Sequence, residues 1–175
     1  VVDCLDTNWI SSLGKYVTEF EDYFANYCDV SYGVACSSGT AAIHLALEAL
    51  GIGAGDEVLV PCFTLIADSN MVILIGAKPV FVDVDPSTWC IDVNQIESKI
   101  TNKTKAIICV HMYGHPCDMD RIMKIAKRHN LDVIEDAAQA IGSRYPSNTG
   151  TKKAGSMGIT GCFSFFPSKN SVWLC

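Results

Sequence analysis

The stretch Lys105-Ala-Ile-Ile-Cys-Val-His-Met-Tyr-Gly-His-Pro-Cys-Asp-Met-Asp-Arg-Ile-Met-Lys-Ile-Ala-Lys-Arg-His-Asn-Leu-Asp-Val-Ile134 decides the fold. Lys105 to Val110 is a near-continuous apolar strand, Asp118 to His129 a helix with Asp120 in its first turn, and Leu131 to Ile134 a second apolar strand. Two short strands that are apolar on both faces and separated by a helix read as parallel neighbours joined by a right-handed crossover. The alternation continues on both sides. Tyr32 to Cys36 reads as a strand, Ala41 to Leu50 as a helix, Glu57 to Val60 as a strand closed by Pro61, and Thr64 to Leu74 as a helix ended by Gly76. Pro79 to Val84 follows as a strand and Asp92 to Ile100 as a polar-faced helix. The predicted class is α/β, one mostly parallel sheet with helices on both faces. At the N-terminus, Val17, Phe20, Phe24 and Tyr27 recur at helical spacing over Tyr16 to Tyr27. Trp9, in the polar loop Asn8 to Tyr16, is expected to pack that helix onto the body.

Composition narrows the function. The chain has 175 residues, about one domain's length, of which 49% are hydrophobic and 18% charged. A formal net charge of -6, with no basic run, argues against a nucleic-acid surface. The longest apolar stretch, around Met71 to Ile75, is too short to span a bilayer, and no signal-peptide core opens the sequence, so a cytoplasmic protein is expected. Nine cysteines lie scattered without a C-x-x-C pair, which reads as reduced thiols used as small hydrophobes rather than as disulfides or a zinc site. His111 and His115 read as loop histidines.

Three groups fall on the carboxyl edge of the sheet, where open α/β folds bind ligands. Ser37-Ser38-Gly39-Thr40 joins a strand to a helix N-terminus, a place where free N–H groups attract an anion and where Ser38 would also cap the helix. It lacks the Walker and dinucleotide glycine patterns, so ATP and NAD are not indicated. Asp136 follows the strand ending at Ile134, among the small residues Ala137, Ala138 and Ala140. An aspartate there could bind magnesium, act as a base, cap a helix or hold a protonated heterocycle. Lys169 follows the aromatic run Phe163, Phe165 and Phe166, expected to be a strand that Pro167 stops. An anion site, a carboxylate and an amine on one edge match the phosphate, ring nitrogen and aldehyde of pyridoxal 5'-phosphate.

Seven ordered segments carry a resemblance: Trp9-Ile-Ser-Ser-Leu-Gly-Lys-Tyr, Ser38-Gly-Thr-Ala-Ala, Gly55-Asp-Glu-Val with Pro61-Cys-Phe-Thr, Gly76-Ala-Lys-Pro-Val-Phe-Val-Asp, Val110-His-Met-Tyr-Gly-His-Pro-Cys-Asp-Met-Asp, Glu135-Asp-Ala-Ala-Gln-Ala, and Cys162-Phe-Ser-Phe-Phe-Pro-Ser-Lys-Asn. From Trp9 to Lys169 the chain resembles the DegT/DnrJ/StrS sugar aminotransferases, fold-type I pyridoxal-phosphate enzymes acting on nucleotide-linked keto sugars. The wording around Trp9 and His111 is nearest to a branch that aminates a GDP-linked 4-keto-6-deoxymannose.

The resemblance implies Lys169 as the Schiff-base lysine and Asp136 as partner of the ring nitrogen, with Gln139 beside the ring. It implies Gly39, Thr40 and Ser164 at the phosphate. Leu65 stands where the family often places an aromatic ring over the pyridine, so weaker cofactor retention is expected. A related branch that removes a hydroxyl carries histidine in place of the lysine, and Lys169 therefore favours transamination. The implied partners are a nucleotide-linked keto sugar, an amino acid donor such as glutamate, and a second copy in a homodimer.

After Lys169 the family continues through a glycine-rich stretch and a C-terminal domain, whereas this sequence reads Ser171-Val-Trp-Leu-Cys175. Residues 1–175 are accordingly expected to be the N-terminal portion of the large domain, with the C-terminal domain absent. Two readings follow: part of a working aminotransferase, or a catalytically silent cofactor-binding or dimerising fragment.

Overall fold

The computed structural model describes residues 1–9, 11, 14–167 and 169. Part of the loop expected over Asn8 to Tyr16, and the tail Ser171 to Cys175, lie outside the described residues. The chain divides into two compact units, residues 1–35 and 36–175.

In the first unit, a short helix α1 (Val2–Asp6) precedes the expected amphipathic helix α2 (Lys15–Cys28). Asp3 joins them, taking Lys15 Nζ at 2.7 Å and the Tyr16 hydroxyl at 3.0 Å. The apolar stripe of α2 stacks along itself, Phe20 on Phe24 at 5.7 Å and Phe24 on Tyr27 at 5.8 Å, and within the unit Phe20 and Tyr27 stay exposed. Trp9 is 59% exposed, with its indole over Gly14 at the start of α2. Tyr32 to Cys36, expected as a strand, is irregular backbone. A strand exists only with a ladder partner, and Ala35 N–H goes instead to the Glu21 carboxylate at 2.8 Å.

The second unit is the α/β body. Its sheet runs in the order β2 (Lys78–Val82), β1 (Glu57–Pro61), β3 (Thr104–Val110), β4 (Asp132–Asp136), β7 (Thr160–Cys162), every pair parallel. All five residues of β1 are buried, as are Ala106 to Val110 of β3, which explains their unbroken apolar runs. Helices α3 (Gly39–Ala49) and α4 (Ala67–Leu74) pack together and on the strands, and α5 (Val93–Lys99) and α6 (Met119–His129) form a second such pair.

Local chemistry sets the helix ends. Ser38, Asp92 and Asp118 accept the N–H groups of Ala41, Asn94 and Arg121, and Asn130 closes α6 in the left-handed conformation. Helix α6 buries Met119, Ile122, Ile125 and Ala126 along one stripe and carries Lys127, Arg128 and His129 in its last turn, where they suit the helix dipole.

Two differences from the sequence reading concern β structure. The strand expected through Phe163 to Phe166 ends at Cys162, because β7 pairs only with β4 and β4 stops at Asp136, opposite Cys162. A hairpin of β5 (Arg144–Ser147) and β6 (Gly150–Lys153) was not expected. Its one signal is the turn Asn148-Thr149-Gly150, with Gly150 at φ 115°.

Candidate active site

All five strands are parallel, so their last residues, Val82, Pro61, Val110, Asp136 and Cys162, line one edge of the sheet. Asp136 is 6% exposed, in register with Val110 on one side and Cys162 on the other. Its carbonyl accepts His111 N–H at 3.0 Å, and its Oδ1 accepts Ala138 N–H at 2.9 Å. Ala137, Ala138 and Ala140 are buried around it. Burial pushes the Asp136 carboxyl up, opposed by the Ala138 N–H and by the charge of Lys169. Lys169 therefore acts electrostatically on Asp136, although it stands well beyond the end of β7. The turn that carries it is closed by Lys169 N–H bonding to the Phe166 carbonyl at 2.8 Å.

The start of α3 reaches the same edge. A Cβ at Gly39 would sit 3.0 Å from Ser164 Cβ and 3.2 Å from the Phe163 carbonyl oxygen, so glycine is what lets the helix N-terminus touch the chain leaving β7. Ser38 caps the helix, the bland role the sequence allowed it, and Thr40 is exposed in its first turn. Ser164 Oγ accepts Phe166 N–H at 3.4 Å. Gln139 Oε1 accepts the N–H of Tyr113, a residue held at φ 52°, and so ties the loop after β4 to the loop after β3. Leu65, 52% exposed, stands in the turn between β1 and α4.

Behind the edge lies a buried network that the sequence did not reveal. His111, which does lie in a loop as expected, is fully buried and bonds Glu135 Oε2 through Nε2 at 2.7 Å. Its Nδ1 accepts Cys117 N–H at 3.1 Å, so the Nε2 carries the proton and donates it. Glu135 Oε2 also takes Gly155 N–H at 2.8 Å, and Oε1 takes the N–H groups of Met157 and Gly158, each at 2.6 Å. Burial alone would raise this carboxyl, yet the His111 hydrogen bond and the Gly158 and Gly155 amides outweigh it and hold it below the usual range. Successive strand residues face opposite ways, so β4 sends Glu135 to this network and Asp136 to the other face. Residues 155–158 lead directly into β7.

The second group missed by sequence reading is Asp68, in the first turn of α4, fully buried. Its Oδ2 accepts the Thr64 hydroxyl at 2.6 Å, and its Oδ1 is the buried side-chain oxygen left without a hydrogen bond among the described residues. In sequence it reads as an ordinary acid at a helix start.

Residues 1–173 match the model of the DegT/DnrJ/EryC1/StrS aminotransferase family. Over 169 residues the chain is 54% identical to a GDP-perosamine synthase of Caulobacter vibrioides, covering 97% of this chain and 44% of that protein. It is 52% identical over 158 residues to a UDP-N-acetyl-3-dehydro-alpha-D-glucosamine 3-aminotransferase of Acidithiobacillus ferrooxidans, covering 90% and 42%. The putative sugar aminotransferase Spr1654 of Streptococcus pneumoniae, solved in its PMP-form, superposes with a TM-score of 0.89 at 34% identity, covering 97% of this chain and 45% of that one. The chain thus spans less than half the length of the relatives it matches.

Proposed function

The chain belongs to the DegT/DnrJ/EryC1/StrS aminotransferase family, and we propose that it forms the cofactor-holding part of an enzyme that moves an amino group from an amino acid, glutamate in our reading, to a nucleotide-linked 4-keto-6-deoxy sugar. The observation that carries this is the buried Asp136 at the end of β4, on the strand edge where the Gly39 start of α3 meets Ser164 in the chain that leads to Lys169. The close approach of Gly39 to Ser164 and the carboxylate set among alanines suit a flat ligand with an anionic group.

Pyridoxal phosphate, when bound, supplies an electron sink for bond-making at the amino-bearing carbon. The chain's own residues do the rest. Asp136, kept from water and oriented by the Ala138 N–H, holds a proton on a ring nitrogen. Lys169 would anchor the cofactor through its amine and would serve as the acid and base that moves a proton. Gly39, Thr40 and Ser164 take the phosphate at the positive end of α3, with the helix dipole behind them. Gln139 would border the ring, and Leu65 would cover one face by dispersion without stacking.

In this reading residues 1–175 are the N-terminal portion of the large domain, and a C-terminal domain and a second copy complete the sugar site in a cytoplasmic homodimer. No described helix is long and apolar enough to cross a membrane. Amination at a 3-keto position is a second reading, favoured by the likeness to the 3-aminotransferase.

Purified protein mixed with pyridoxal phosphate is expected to show the visible band of the lysine-linked cofactor, and Lys169→Ala to lose it. A variant that keeps the band overturns the lysine assignment. Amine transfer to a GDP-linked 4-keto sugar by this chain alone would reject the silent-fragment reading.

A further inference from the structure

The chain that leaves β7 carries Ser164 and leads to Lys169, yet from Phe163 onward it runs past the end of the β4 ladder. Packing then takes over the work that a ladder does inside the sheet. Phe165 and Phe166 are 46% and 66% exposed, whereas Phe163 turns inward and packs against the buried Ala137, Ala140 and Ala154. The floor of that slot is Gly155. A Cβ there would overlap Phe163 Cζ and stand 2.9 Å and 3.0 Å from the two Cε atoms, so the ring points its tip at Gly155. Gly155 has φ 84°, a conformation that glycine adopts readily. It is held on two sides: Glu135 Oε2 accepts its N–H at 2.8 Å, and its carbonyl lies against Gly161 of β7, where a Cβ would overlap it. At the other end of the same residue, the Phe163 carbonyl oxygen and Ser164 Cβ stand 3.2 Å and 3.0 Å from where a Gly39 Cβ would be. Phe163 thus spans the ground between the buried Glu135 network and the start of α3.

We propose that Phe163 is a positioning residue for the anion end of the cofactor site: its ring, seated on Gly155, sets the distance between Ser164 and the start of α3 at Gly39 and Thr40. The proposal rests on the cofactor reading above. Close-packed groups transmit displacement instead of absorbing it. A shorter side chain lets the chain sink toward Gly155, and a longer one lifts it. Either change moves Ser164 relative to the N–H groups of α3, while Asp136 stays in place, fixed by the β4 ladders and by the Ala138 N–H. Hydrogen bonds to an anion weaken steeply with poor geometry, so the phosphate senses the shift and the ring nitrogen does not.

The test separates the phosphate from the ring. Pyridoxal 5'-phosphate and pyridoxal, which lacks the phosphate, are each titrated into wild type, Phe163→Leu and Phe163→Tyr, with binding read by equilibrium dialysis and folding by circular dichroism. Leucine falls short of Gly155, and the tyrosine hydroxyl, at the ring tip, has no room above it. Each variant is expected to bind pyridoxal within about twofold of wild type and pyridoxal phosphate about tenfold more weakly, the weight of one hydrogen bond to a charged group. Equal weakening of both ligands marks Phe163 as a packing residue alone and overturns the proposal, as does an unchanged preference for the phosphate form. Should the leucine variant not fold, the tyrosine variant, which removes no apolar surface, decides. If wild type itself binds both forms equally, the phosphate site assigned to Gly39, Thr40 and Ser164 falls, and the role of Phe163 with it.

Discussion

Replacing Glu135 by glutamine tests whether the buried network behind the sheet edge holds the chain that leads into β7. The carboxylate accepts four donors, one His111 Nε2–H and three backbone N–H groups from residues 155–158, in complete burial. Glutamine keeps the shape but turns one acceptor into an NH₂ group. If the NH₂ faces Met157 and Gly158, two amide hydrogens meet donors. If it faces the other side, His111 can switch tautomer, but the Gly155 N–H stays orphaned and the Cys117 N–H then meets a protonated Nδ1. Breaking one side of a buried charged network costs about 3–5 kcal/mol. That is a large part of the roughly 5–15 kcal/mol that stabilises a domain. An apolar substitute would not escape this cost, because the three backbone donors remain. Urea unfolding followed by circular dichroism is expected to show a lower midpoint with an unchanged slope, and the melting temperature to fall by about 10 °C. A loss below about 1 kcal/mol would refute the reasoning.

Two further outcomes follow. Asp68 has its folded value raised to about 7 from an ordinary 3.8, so its contribution favours folding below the ordinary value and is lost as pH rises toward and through about 7. Cofactor-free wild type is therefore expected to lose on the order of 3 kcal/mol between pH of about 5 and 8 relative to Asp68→Asn, read by urea unfolding at both pH values. Gly39→Ala puts a methyl group 3.0 Å from Ser164 Cβ and 3.2 Å from the Phe163 carbonyl. Overpacking of roughly 1–3 kcal/mol, concentrated where α3 meets the chain leaving β7, is expected to weaken cofactor binding about tenfold in a fluorescence titration. Unchanged affinity would mean that the contact has no part in the site.

Strands β1, β3 and β4 and helices α3, α5 and α6 were legible in the sequence, because apolar runs, caps and Gly or Pro boundaries are local signals. The place of Asp136 was legible for the same reason: the last residue of a buried parallel strand stands at the ligand edge. Partnership was not legible. Phe163 to Phe166 have strand propensity, but no strand lies beside them once β4 has ended, and Tyr32 to Cys36 likewise form no ladder. His111 looked like a loop residue because Glu135, its partner, is 24 positions away. Asp68 drew no notice because nothing local sets it apart from any acid in the first turn of a helix; its burial comes from elements packed around it. Sequence alone determined the alternation of β1, β3 and β4 with their helices and the place of Asp136 and of the α3 start at the strand edge, since each follows from short-range pattern. Only the tertiary structure decided which carboxylates are buried, that Glu135 is fully bonded and that Asp68 keeps an oxygen without a hydrogen bond among the described residues, because burial and partnership belong to groups that the chain brings together from far apart.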